Sequence, residues 1–146
     1  MGSAVTLEVD GTVPARWLGR ISPSARRCRS LVHCPSVSSA VLVLCTVSGE
    51  AEGRRLARDL VDRRLAACVN MVPAITSIYR WQGEVEEAAE CLLLIKSTRD
   101  AYVQLRDALI ELHSYDVPEV LAVDIAAGSP PYLDWLMAQV AVSEDS

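Results

Sequence analysis

Residues Cys68 to Trp81 read CVNMVPAITSIYRW, a run of β-branched, apolar and aromatic residues suited to a strand. At about 3.3 Å per residue it would span roughly 45 Å, where strands of about 5–6 residues are usual. Gln82-Gly83-Glu84 then makes a turn. A second strand-like run follows it, opening at Glu86-Glu87 and fully apolar from Cys91 to Ile95. A small domain cannot cover so long a hairpin with its own core. Met71, Val72, Ile75, Ile78, Tyr79 and Trp81 therefore require a partner surface, most simply another copy of the chain. Pro73 cannot donate to a sheet ladder, so its place inside the first run demands a bulge or an edge.

A chain of 146 residues suits one domain. The formal net charge of −5 argues against nucleic-acid binding, which calls for a basic face. No apolar run is long enough to cross a membrane. The five cysteines (Cys28, Cys34, Cys45, Cys68 and Cys91) are odd in number, widely spaced and contain no CxxC pair. That pattern is neither a disulfide framework nor a zinc finger, and points to reduced thiols.

Residues 1–39 hold no sustained period. They carry Pro14, Pro23, Pro35 and the cluster Arg26-Arg27-Cys28-Arg29, with Glu8 and Asp10 as their acids. Such a segment reads as a disordered extension or an organelle-targeting peptide. The domain is expected over 40–141, with 142–146 a short tail.

Within the domain, Ala40 to Val47 reads as a buried central strand. Ser48 is a candidate N-cap for a helix reaching about Leu65, with Leu56, Leu60, Val61 and Leu65 as its inner stripe. After the hairpin, Tyr102, Leu105, Leu109 and Leu112 fall at helical spacing. Val120 to Ile125 forms a fourth strand, and Tyr132 to Val140 a final helix. The order predicts an α+β, ferredoxin-like βαββαβ fold with a long β2–β3 hairpin and an extra C-terminal helix. The helices cover one face of a four-stranded antiparallel sheet, which leaves the other face to self-association.

Six segments are specific beyond pattern: VLVLCT at 41–46, LAAC at 65–68, ITSIYRWQGEVEE at 75–87, LLLIKS at 92–97, HSYDVPEVLAV at 113–123 and PPYLDWL at 130–136. In this order and spacing they closely resemble the CutA family, the divalent-cation tolerance proteins, over about Val41 to Val140. The resemblance implies a tight homotrimer with an architecture like that of the PII signalling proteins. It also implies binding of copper or another divalent cation and a role in metal-ion tolerance, in the cytoplasm unless residues 1–39 direct the chain to an organelle. It implies no catalysis, and the chain offers no Ser-His-Asp order and no phosphate loop. Two other functions stand beside it: a PII-like small-molecule sensor with a site between subunits, and a structural scaffold.

Cys45 is a soft thiol suited to copper, and the family's metal site pairs a cysteine here with histidines near the end of the second helix. His113 is present, but Leu112 stands where some relatives have a further histidine. Cys68 is a third candidate ligand. As plain structure, Cys45 and Cys68 are packing residues and His113 meets the last helical carbonyls. Tyr79, Trp81, Glu84, Lys96, Glu119, Tyr132 and Trp135 form a polar and aromatic set, comparable to residues that line clefts between subunits in the family. An acid, a base and aromatics together suit a small anion or proton transfer. The alternative for Lys96 is an interface ion pair, and for Glu84 a solvated charge beside the turn.

Overall fold

A computed structural model of the protein describes residues 39–140. The elements run β1 (Ala40–Val47), α1 (Glu50–Asp62), β2 (Cys68–Trp81), β3 (Glu84–Thr98), α2 (Tyr102–Leu112), β4 (Leu121–Asp124) and α3 (Pro130–Gln139). The four strands form one antiparallel sheet in the order β2-β3-β1-β4. The fold is thus α+β, with three helices. The expected extension over 1–39 lies, except for Ser39, outside the described residues, and so does the tail at 142–146.

β1 is central, and its side chains alternate as a strand must. Val41, Val43, Cys45 and Val47 are buried beneath the helices, whereas Leu42, Leu44 and Thr46 point the other way and stay partly exposed. Cys91, Leu93 and Ile95 of β3 join the first set, with Leu56 and Leu60 of α1 and Leu105, Ala108 and Leu109 of α2. A second small cluster closes the Ala40 end of the sheet, where Leu136 and Val140 meet Ala67 and Ala101. Arg64 ties this end together. At φ 59 it reverses the chain after α1, and its guanidinium donates to the carbonyls of Ala138 (2.9 Å) and Gln139 (3.2 Å).

The hairpin is as long as the sequence requires. Its turn places Gln82 at φ 48 and Gly83 at φ 93, the two positive values of a turn that matches the twist of paired strands. Pro73 sits in a bulge. Val72 pairs with Leu92, but Ile75 pairs with Glu90, so β2 holds one residue more than β3 across the interval. Ala74 absorbs the extra residue at φ 57. Because side chains alternate with period two, the bulge exchanges the faces of the strand. Before it, Cys68 and Asn70 share a face with Leu94 and Lys96. Beyond it, Ser77, Tyr79 and Trp81 take that face with Ala88, Glu86 and Glu84. Ile78 and Val85 turn to the opposite side and are 69% and 62% exposed.

Two local expectations change. Gly49, not Ser48, is the N-cap of α1, because the Ser48 hydroxyl is engaged by the Glu52 carboxylate. Val61 is not part of the inner stripe. It lies 41% exposed in the last turn of α1, which ends at Asp62 instead of about Leu65.

Gly53 lets α1 approach the sheet. A Cβ there would stand 2.9 Å from the Met71 methyl, 3.2 Å from a Leu93 methyl and 3.3 Å from a Val47 methyl. Gly53→Ala gains about 1 kcal/mol of helix propensity, which offsets a shift of the flexible Met71 tip and small displacements of the Leu93 and Val47 methyls, so its stability should stay near wild type. Gly53→Leu should cost about 2–3 kcal/mol by overpacking. Urea denaturation of the three proteins checks both.

Candidate functional site

Glu52, at the start of α1, fastens the segment after α2 to the end of β1. Its Oε2 accepts from the Ser48 N–H (3.2 Å), the Ser48 hydroxyl (2.6 Å) and the Ser114 hydroxyl (2.9 Å), and its Oε1 from the Ser114 N–H (2.8 Å). Burial by itself would raise its pKa, but these four donors outweigh it and hold the carboxyl at about 2. Arg55, in the second turn of α1, donates to the Leu112 carbonyl at 2.8 Å.

His113 follows directly, with its side chain fully buried. Its Nε2 stands 2.9 Å from the Thr46 carbonyl and must carry the proton, because Nδ1 accepts the Tyr115 N–H at 3.0 Å. The Cys45 thiol lies 3.8 Å from the same carbonyl. The fold therefore does bring the end of β1 to the end of α2. The donor set does not fit a ready-made metal site, however. Both imidazole nitrogens are committed to backbone partners. Burial, reinforced by Glu119, Glu52 and Glu90, pushes the Cys45 thiol up to about 12, far from the thiolate that binds metal. Among the described residues, no three His, Cys, Asp or Glu side chains converge as ligands.

The polar and aromatic set divides in two. Tyr79, Trp81 and Glu119 line a cavity of about 640 Å³ together with Thr46, Ser77, Glu86, Glu90, Ser114, Tyr115, Asp116, Val117 and Pro118. Lys96, Tyr132 and Trp135 lie elsewhere. Lys96 pairs with Cys68 across β2 and β3, its ammonium bonds to the Asn70 amide oxygen, and Cys68 Sγ is 4.0 Å away. The Tyr132 and Trp135 rings meet at a tilt of 39°, their centroids 5.4 Å apart. Burial and the nearby Cys68 both raise the Tyr132 hydroxyl. Glu84 is exposed beside the turn and lines neither group.

Glu90 and Tyr115 escape the sequence reading. Glu90 is only 7% exposed, and Tyr115 donates its hydroxyl to Glu90 Oε1 at 2.8 Å. Burial and this carboxylate push the Tyr115 hydroxyl up to about 12. The available signal was a glutamate set directly against the apolar run Cys91–Ile95.

The low pKa of Glu52 has a definite sign. A carboxyl ordinarily near 4.5 and held at about 2 in the folded state stabilises fully above 4.5, and the contribution is lost as pH falls toward 2. Glu52→Gln should lose roughly 2 kcal/mol at neutral pH. The stability difference between the two proteins should shrink between pH 4.5 and pH 2, as read by denaturation at a series of pH values.

Comparison with known proteins agrees with this fold. The profile of the family described as CutA1 divalent ion tolerance protein matches residues 41–139. "Divalent-cation tolerance protein CutA" of Thermus thermophilus is 55% identical over 95 residues, covering 65% of this chain and 92% of the relative. "Protein CutA, chloroplastic" of Arabidopsis thaliana is 43% identical over 97 residues, covering 66% of this chain but 53% of the relative. A solved structure of the Thermus thermophilus divalent cation tolerance protein superposes with a TM-score of 0.69 at 51% identity, over 70% of this chain and 99% of that one. The chain belongs to the CutA1 divalent ion tolerance protein family.

Proposed function

We propose that the protein acts in divalent-cation tolerance as a homotrimer, with the trimer as its working unit and catalysis no part of its role. The observation that carries this reading is the uncovered sheet. Leu42 and Leu44 of β1 and Leu92 and Leu94 of β3 are only partly buried, and Leu121 and Val123 of β4 are 54% and 51% exposed on the same face. The distal hairpin adds Trp81 on this face and Ile78 and Val85 on the other. Apolar surface of this extent favours a partner, and a second or third copy offers matching strands. The strand order β2-β3-β1-β4 supports a ferredoxin-like protomer of the kind that PII-like trimers use. Residues 40–141 form the working domain, in the cytoplasm or, with 1–39 as a targeting peptide, in an organelle.

Copper is the cation that Cys45, His113 and Cys68 suit best by chemistry. Binding at Cys45 and His113 must compete with the Tyr115 N–H, the Thr46 carbonyl and a tightly held thiol proton. Affinity there is accordingly low, and Leu112 supplies no second imidazole.

Light scattering should give a particle near three times the chain mass of 15.9 kDa. Ile78→Asp should dissociate it while leaving the protomer folded, since Ile78 contributes nothing to the protomer core. A wild-type monomer at micromolar concentration would sink the reading. Copper titration should show weak binding that Cys45→Ser and His113→Ala each reduce further. Equal binding by all three proteins would remove those residues from the cation's path.

A further inference from the structure

Cys68 and Lys96 form a thiol–amine pair at the end of the hairpin away from its turn, apart from the contacts of Cys45 and His113. They are direct cross-strand partners on β2 and β3 and share one face of the sheet. Side chains so placed have Cβ atoms about 5 Å apart, within reach of a lysine turned across the ladder. Lys96 is turned that way. Its Nζ lies 4.0 Å from Cys68 Sγ, and the amide oxygen of Asn70, two residues further along β2 on the same face, holds it there. α3 borders the pair. Leu136 shares a packed cluster with Ala67, the residue before Cys68, and the Tyr132 hydroxyl keeps its proton more tightly through burial and the nearby Cys68.

Cys68 is also the accessible thiol among the described residues. Cys45 and Cys91 are 0% and 1% exposed, whereas Cys68 is partly exposed. Oxidation of thiols follows access, so a small oxidant meets Cys68 before the two core cysteines. Neither of those shares its face, since both are packed beneath the helices. A sulfenic acid at Cys68 therefore has an amine, and no described thiol, as its reactive neighbour. Sulfenic acids condense with nitrogen to sulfenamides as they do with thiols to disulfides.

We propose that Cys68 and Lys96 form a reversible sulfenamide cross-link when the protein meets a hydroperoxide, bracing β2 against β3. Hydrogen peroxide gives one oxygen to Sγ, so that the sulfur is oxidised to the sulfenic acid and the peroxide is reduced to water. The Lys96 amine, one proton lost to solvent, then attacks Sγ. The S–N bond forms, the S–O bond breaks, and the departing hydroxide takes a proton from the nitrogen to leave as water. Asn70 is a positioning residue that keeps the amine beside the thiol. The cross-link needs neither copper nor a partner copy.

The full chain in its native assembly is treated with hydrogen peroxide in the presence of a metal chelator, then digested with trypsin and mapped by mass spectrometry. The peptide carrying Cys68 should be joined to the one carrying Lys96, two hydrogens lighter than their sum, and trypsin should no longer cut after Lys96. Dithiothreitol should release the link. Lys96→Arg keeps the positive charge but offers a guanidinium that stays protonated. It should lower the cross-linked fraction about tenfold or more and leave Cys68 as sulfenic or sulfinic acid. Cys68→Ser should abolish the link with Cys45 and Cys91 still reduced. Both side chains are partly exposed, so neither variant disturbs the core. A wild-type protein that gains only oxygen at Cys68, or that leaves Cys68 reduced until it is unfolded, overturns the proposal. The same link in Lys96→Arg also overturns it.

Discussion

A sheet has two faces, and the helices of the described residues cover one. α1 and α2 bury Val41, Val43, Cys45 and Val47 with Cys91, Leu93 and Ile95, while α3 closes only the Ala40 end. Everything distinctive follows from that shortage. The long hairpin extends past the helices, its far half has no core of its own, and the alternate residues of β1 and β3 stay partly open. Extended apolar surface of this sort is tolerable in water only when another surface meets it. Among the described residues, the main packed core lies between the helices and one face of the sheet.

The uncovered side also organises the electrostatics. Residues 113–119 leave α2 and pass the end of β1, held there by Glu52 from one side and by the His113 contact to the Thr46 carbonyl from the other. Glu119, Glu90 and Asp116 thereby come to line one cavity above the sheet, with no base among its described lining residues. The same polar bonds that fix the loop occupy the imidazole, so its anchoring role and its availability to a cation are in direct competition. The thiol beside it keeps its proton chiefly because it is buried, and further because of the nearby carboxylates.

Much of the fold was legible because period and punctuation agreed. The alternating burial of β1, the overlong hairpin, the bulge at Pro73 and the helical spacing of Leu105 and Leu109 all rest on local chemistry. The cap of α1 was not legible, since Ser48 has a cap's chemistry but is taken by Glu52, whose partner Ser114 is distant in sequence. Val61 fits the helical stripe and lies inside α1, yet in the last turn it faces outward, beyond the packed core. At the candidate site, the approach of His113 to β1 followed from topology. The hydrogen bonds that fill both of its nitrogens did not, because they involve backbone groups that carry no sequence signature. Tyr79, Trp81 and Lys96 read as one set, but pairing register separates them. Lys96 lies before the bulge and Tyr79 beyond it, and Glu90 joins Tyr79 only through that register.

The bulge at Pro73 and Ala74 makes the outer hairpin separately adjustable. Because it sets which alternate residues face the cavity, removing or adding one residue at this point trades Ser77, Tyr79 and Trp81 for Thr76, Ile78 and Arg80 in a single step. The strands nearer the helices keep their pairing through such a change, so the folded core does not resist it. Relatives of this chain that differ by one residue in this interval would therefore present a different chemical lining on an unchanged domain. A length change there alters the lining of the cavity more than any single substitution in it.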